Sequence, residues 1–348
     1  ILSQVAMAPV LRAMNTPENI FSDSAAYIGI IFLGLGASLF YNLFSGLLRA
    51  VGDSKTPLYF LCLSSALNVV LDLLFVVTFS MGVAGAAWAT IISQFVSFCL
   101  LIAGTFRGGN LRLNLRDFSP SLKYYQNIVK GGAPSLFRQG LGSFATVCLN
   151  LMAGPYGDAA IAAMSIVTRI SQFAASVVIG FGQGFQPVCG FNYGAKLFKR
   201  VQEGFWFCVK FCTSVLLVAA VCGWIFSPNL IGIFLKTDPL VIEYGSQALR
   251  LQALTFPLVG WITIANMMLQ TIGKTVKASL LAMSRQFLFF VPVILTLPGF
   301  LGILGVQLSQ PIADFCSFLL AVPLSISVLR EMSHEQGQLE QLKITREN

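Results

Sequence analysis

Charge is scarce in this chain, and acids are scarcer than bases: 14 Asp and Glu and a single His stand among 348 residues. Charged residues make up 10% of the sequence, against about 25% in soluble domains. So thin a supply of polar groups excludes an ordinary water-soluble globule. The one His, His334, lies in the polar carboxy-terminal stretch, which excludes a His-centred catalytic or metal constellation. Eight Cys are scattered through apolar runs with no CxxC pair. Cys208 and Cys212 share a helix face but have no further Cys or His beside them, so they read as small packing residues. Phosphate loops are missing as well. Gly180, Gly182 and Gly184 follow no strand and miss the GxGxxG spacing; they read as close helix packing, with Pro187 as a bend. Gly273-Lys274-Thr275 has Met268 where a P-loop needs its first glycine. No ATPase, and no enzyme of any kind, is expected.

What fills the space is apolar: 56% of residues are hydrophobic, and the mean hydropathy is +0.78. A membrane-spanning helix needs about 20 mostly apolar residues. That ruler predicts a stub near 1–14 and nine spans near 19–47, 57–79, 83–106, 131–153, 158–187, 203–226, 239–270, 276–297 and 302–330. Thr16-Pro17 and Asp238-Pro239 supply capping residues just before two of them. Alternate connections and the tail hold fifteen Lys and Arg, whereas the opposite connections hold only Arg12 and Lys236. Because positive loops stay cytoplasmic, the carboxy terminus is expected inside. The net charge of +8 therefore reports topology, and no nucleic-acid partner is expected.

Two stretches repeat at a spacing near 220 residues. MGVAGAAWATIISQFVSF (81–98) matches LGILGVQLSQPIADFCSF (301–318), pairing Gly82 with Gly302 and Gly85 with Gly305. LLRAVGDSKT (47–56) matches MLQTIGKTVK (268–277), pairing Gly52 with Gly273. The second copy holds six helices and the first only three plus the stub. With Ile1 in place of an initiator Met, this reads as a fragment lacking roughly 100 residues of a 6 + 6 parent. The expected organisation is an incomplete amino-terminal lobe at 1–107, a cytoplasmic linker at 108–122, a carboxy-terminal lobe at 123–330 and a cytoplasmic tail at 331–348.

NLFSGLLRAVGDSKTP, followed by NVVLD and GVAGAAWAT, resembles the multidrug and toxic compound extrusion (MATE) transporters of bacteria. GDAAIAAMSIVTRI and GFGQGFQPVCGFNYGAK resemble the seventh-to-eighth helix region of the same family. The resemblance implies an all-α integral membrane fold, two six-helix lobes around a central cavity, and export of organic, often cationic, compounds driven by protons or Na⁺.

Asn68 and Asp72 stand four residues apart and so share a helix face. Asp72 falls about 23 Å along a core about 30 Å thick, and Thr90 on the returning helix reaches similar depth. An amide, a carboxylate and a hydroxyl at one level suit a proton or a hard cation such as Na⁺. The alternative is interhelical hydrogen bonding, although a charged Asp at a helix centre costs about 2.5–3.5 kcal/mol and usually marks function. Repeat-equivalent positions in the second copy are Phe289, Val293 and Gln310, so the fold does not demand the polar pair. The family resemblance implies that Asn68, Asp72 and Thr90 join an acid on the first helix in a cation site. Asp314, with Gln310 and Gln307 on its face, is a secondary ion-coupling candidate; Arg285 on the preceding helix makes an ion pair equally open. The stretches APSLFRQGLGSFATVCLN (133–150) and GSQALRLQALTFPLVGWITIANMMLQ (245–270), on the helices that carry carboxylates in the sodium-coupled branch, hold no Asp or Glu, which argues against a carboxy-lobe Na⁺ site of that kind. Arg138, Arg169 and Arg250 lie within spans and either snorkel, bond carbonyls or line a cationic cavity.

The expectation is a multi-pass efflux antiporter of the bacterial inner membrane. It would act as a monomer in the lipid bilayer on small cationic amphipathic compounds, with H⁺ or Na⁺ as coupling ion and no cofactor. A flippase for lipid-linked saccharides or other anionic substrates is the nearest alternative; a non-transporting receptor is more distant.

Overall fold

Two turns separated by most of the chain adopt the same backbone. Gly52 and Gly273 have φ of 90° and 80°, a left-handed region that glycine enters without Cβ strain. In each, the amide one residue later reaches back five residues: Asp53 to the Leu48 carbonyl and Lys274 to the Leu269 carbonyl, both at 2.9 Å. These helix-ending motifs follow the pairing of the sequence repeat. The second pair repeats too, with φ of 55° at Gly82 and 61° at Gly302. A Cβ at Gly85 or Gly305 would press on the backbone of Phe75 or Leu297 respectively, which holds each incoming helix against the one before it.

A computed structural model describes residues 18–53, 55–108, 121–235 and 238–347. Every element among them is helical: α1 (Glu18–Ala50), α2 (Lys55–Asp72), α3 (Gly82–Gly108), α4 (Leu122–Ala153), α5 (Asp158–Gly194), α6 (Phe198–Ile225), α7 (Ser227–Phe234), α8 (Pro239–Ala253), α9 (Phe256–Thr271), α10 (Thr275–Met283), α11 (Phe290–Leu301) and α12 (Ile303–Glu347). A wider π-turn, Leu73–Thr78, extends α2, and another, Ser284–Leu288, joins α10 to α11. Seven described helical segments are long and apolar enough to cross a membrane, or eight if α8 and α9 together form one span. The expected stub at 1–14, Thr16-Pro17, most of the 108–122 linker and Lys236 lie outside the described residues.

Residues 1–119 and 120–348 form two compact units. In the first, α3 lies between α1 and α2, which scarcely touch each other. Small residues allow the approach: Ala87 and Ala89 are fully buried on α3. Serines stitch the seam, Ser64 Oγ donating to the Ser93 carbonyl at 3.1 Å and Ser97 Oγ to that of Phe60 at 3.3 Å. In the second unit a continuous core runs from Ala145 to Met332. Its centre is α9, where Ile264, Ala265, Met267, Met268 and Leu269 are all buried, as expected for a helix apolar on every side. Phe205, Trp206, Trp261 and Phe318 pack edge to face around it.

Three sequence expectations need correction. The span at 239–270 is not one helix: α8 and α9 meet at a 55° bend, because Pro257 in the first turn of α9 cannot donate to the preceding turn. The spans drawn at 131 and 187 run on through Pro134 and Pro187; near Pro134 the loosened ladder is helped by Gln270 Nε2, which donates to the Gly131 carbonyl at 2.9 Å. Of the three glycines read as packing residues, only Gly182 meets a neighbour, Met267 Sδ, while Gly180 and Gly184 face open space.

Candidate functional site

Asp72 is the last residue of α2 before the helix widens into its π-turn, a distortion frequent at functional sites. Its Oδ1 is buried with no hydrogen-bond partner. One turn earlier, Asn68 Nδ2 lies 3.5 Å from Thr90 Oγ1 on α3, and that hydroxyl donates to the Ala86 carbonyl at 3.0 Å. Asn68 and Thr90 are therefore brought together across the α2–α3 seam, and Asp72 sits one turn along the same face. The carboxylate oxygen lacks the donor that a buried acceptor ordinarily finds, a want that a proton or a small cation ligated by oxygen would satisfy. Among the described residues no group of three or more His, Cys, Asp or Glu could hold a metal, so such an ion would rest on mixed carboxylate, amide and hydroxyl oxygens.

Asp314 differs in every respect. Its side chain is 0% exposed and pairs with Arg285, Nε to Oδ1 at 2.6 Å. Gln310 Nε2 also donates to Oδ1, and Gln252 Nε2 to Oδ2, each at 2.9 Å. The Thr255 hydroxyl lies 3.4 Å from Oδ2. The secondary candidates thus converge on one carboxylate whose positive partner is supplied by the chain itself. Gln307 stands apart, donating to the Tyr244 carbonyl at 3.1 Å.

Of the three intramembrane arginines, two bond to side chains, an arrangement outside the readings of snorkelling, carbonyl bonding or a cationic cavity wall. Arg138 donates to Asn266 Oδ1 at 3.1 Å, and Arg250 to Ser227 Oγ at 2.9 Å. Arg169 is exposed on α5. It heads a stripe that continues through exposed Gln172, Ser176 and Gln183, while Gln139, Ser143, Thr146 and Asn150 form a second exposed stripe along α4. Sequence reasoning missed both. Their signal was present as polar residues at helical spacing within apolar spans.

Outside the spans, the turn between α1 and α2 is fixed by Asp53, whose Oδ1 accepts from the Thr56 amide at 3.1 Å. That hydrogen bond holds the Asp53 carboxyl below its ordinary value. At the turn between α9 and α10, the hydrogen bond to Glu331 on α12 raises the Lys274 ammonium.

The MatE family model matches residues 1–74 and 134–296, a stretch that includes Asn68, Asp72 and Arg285. The chain belongs to the MatE family. MATE proteins are multi-pass membrane transporters, not enzymes, and this is a family of multidrug efflux. This MATE chain is 29% identical over 303 residues to the "Probable multidrug resistance protein YpnP" of Bacillus subtilis (strain 168), covering 86% of the chain and 67% of that relative. It is 25% identical over 307 residues to the multidrug export protein MepA of Staphylococcus aureus (strain N315), covering 88% of the chain and 67% of MepA. The fold matches a crystal structure of MATE in complex with MaL6 with a TM-score of 0.88 at 24% identity, over 96% of this chain and 76% of that one. An outward-facing conformation of a multidrug resistance MATE family transporter matches with a TM-score of 0.88 at 24% identity, over 95% and 76% of the two chains.

Proposed function

We propose that this MATE protein is a secondary active antiporter. A proton or Na⁺ entering from outside binds at Asp72, Asn68 and Thr90, and a small cationic amphipathic compound leaves in exchange. The observation that carries the reading is the buried Asp72 Oδ1 without a partner. A lone buried acceptor is unfavourable by about 1–3 kcal/mol, more if charged, and a bound proton or cation relieves that cost. Binding thereby favours whichever arrangement of the helices encloses the site, and release favours the other; alternating access follows from that difference. The membrane potential adds about 2.3 kcal/mol per charge per 100 mV. The exposed polar stripes of α4 and α5, interleaved with exposed Phe144, Phe173 and Phe191, form a wet and aromatic wall suited to amphipathic substrates. The protein acts as a monomer in the bacterial inner membrane with its carboxy terminus in the cytoplasm, without a cofactor and without nucleic acid.

The test is efflux from cells or proteoliposomes under an imposed proton or Na⁺ gradient. Asp72→Asn is expected to abolish gradient-driven efflux at unchanged protein level; efflux that still follows either gradient would sink the assignment. The gradient to which the unaltered protein responds names the ion.

A further inference from the structure

Lys210 stands alone in the apolar run of α6. From Phe205 to Ile225 no other Lys, Arg, Asp or Glu occurs, and the Lys210 side chain is exposed. Those residues span about 30 Å of helix, the thickness of a bilayer core, so Lys210 departs from the backbone about 7.5 Å inside the edge at which α6 enters. The face around it is oily: Trp206, Phe207, Phe211 and Leu217 are exposed beside it, in contrast to the polar stripes of α4 and α5. Cα–Cβ bonds lean toward the start of a helix, so the long Lys210 stem runs back toward the headgroups, the posture of a snorkelling base.

Snorkelling alone leaves Glu203 without a role. It lies seven residues before Lys210, two turns down the same face, and it too is exposed. Among the described residues the ion pairs are Lys274–Glu331 and Arg285–Asp314. Glu203 is therefore joined neither to Lys210 nor to Lys199 and Arg200 in the turn before it. A base one turn ahead of an acid is the weaker order for a helical pair, which suits a carboxylate left free. The face thus presents an ammonium at the edge of the core and a carboxylate on the watery side of it, neither neutralised within the chain.

A phosphoethanolamine headgroup carries the complementary charges in the matching order, its phosphate next to the acyl chains and its ammonium beyond, toward water. Phe181 of α5 stacks on Phe211 at 4.4 Å and meets Phe207 at 6.3 Å, which gives an acyl chain an aromatic wall. Trp206, edge-on to Trp261 at 5.3 Å, sits at the headgroup level that amphipathic rings favour. A headgroup with negative charge alone would be drawn to Lys210 and repelled by Glu203. We propose that this face of α6 binds one phosphatidylethanolamine lipid, with its phosphate on Lys210, its ammonium on Glu203 and a chain along Phe207 and Phe211.

The test is lipid binding by the full-length protein, delipidated and titrated with dioleoyl phosphatidylethanolamine or dioleoyl phosphatidylglycerol and read by native mass spectrometry. The parent is expected to hold one phosphatidylethanolamine in preference to phosphatidylglycerol. Lys210→Gln is expected to weaken that binding about tenfold, the scale of one hydrogen bond to a charged group, and Lys210→Arg to restore it. Glu203→Gln is expected to erase the preference, so that the two lipids bind alike. A parent without the preference, Glu203→Gln that keeps it, or binding unchanged in Lys210→Gln overturns the proposal; the first of these needs no variant to fold. Glycerophosphoethanolamine, which lacks the chains, is expected not to displace the lipid, and displacement would overturn the lipid assignment in favour of a soluble phosphate ester. Asp72→Asn is expected to bind lipid as the parent does, so failure here and failure of the antiport reading are distinguishable.

Discussion

Asp72 and Asp314 are both acids within apolar helices, yet their neighbours assign them opposite sensitivities. Every donor around Asp314 belongs to the chain, so Asp314→Asn strands the Arg285 charge and is expected to destabilise the protein by about 3–5 kcal/mol. Asp72 loses no internal partner when neutralised, so Asp72→Asn is expected to leave the melting temperature within a degree or two while removing coupling, since substitutions away from such networks stay within about 0.5 kcal/mol. Thermal unfolding in detergent, run on both variants, reads the contrast. Asp53 adds a pH term. Its folded pKa is depressed by the Thr56 amide, so its contribution is present above the unfolded value and disappears as pH falls through the folded one. Asp53→Ala is expected to cost about 1 kcal/mol at pH 7, and the gap between variant and parent should close in strongly acidic buffer. Asn68, Asp72 and Thr90 were readable in the sequence because i, i+4 spacing and helix depth are local properties. The partners of Asp314 were readable only in part. Gln310 lies one turn away and Arg285 on the preceding helix, but Gln252 is 62 residues distant, and no local pattern announces such a contact.

At the scale of elements, left-handed glycines and prolines behave differently. Gly302 ends α11 at φ 61°, a conformation that costs a residue bearing Cβ roughly 1–2 kcal/mol. Gly302→Ala is expected to lower the melting temperature, whereas Gly299→Ala, within the same helix and facing open space, is expected to leave it unchanged or raise it. Those glycines were legible because the repeat set them in register. Prolines were ambiguous. Pro134 and Pro187 sit inside continuous helices, while Pro257 follows a true break, and in sequence all three interrupt an apolar run in the same way. Near Pro134 a neighbouring helix supplies a donor, Gln270, and that is a tertiary fact.

For the whole molecule, the alternation of basic connections makes an orientation testable. Thiols placed at Lys277 and at Gly157 should label from opposite sides of a sealed vesicle, Lys277 from the cytoplasmic face. Labelling of both from one side contradicts the topology. The all-helical, multi-span character followed directly from composition, because helices satisfy their own backbone in lipid. The polar stripes on α4 and α5 were overlooked for the same reason: a search for apolar length treats a Gln or Ser inside a span as noise.

The most apolar stretch of α2 and its π-turn contains no buried residue, and this bears on how the protein is made. Thirteen Leu, Val and Phe lie between Lys55 and Thr78. Each favours insertion by about 0.3–0.6 kcal/mol, roughly 4–8 kcal/mol in all, against about 2.5–3.5 kcal/mol for a central Asp. On these terms alone the apolar residues outweigh the acid, and the segment is expected to enter the bilayer with Asp72 aboard. Substitutions at position 72 should accordingly alter what the finished transporter binds without altering whether this helix enters the membrane.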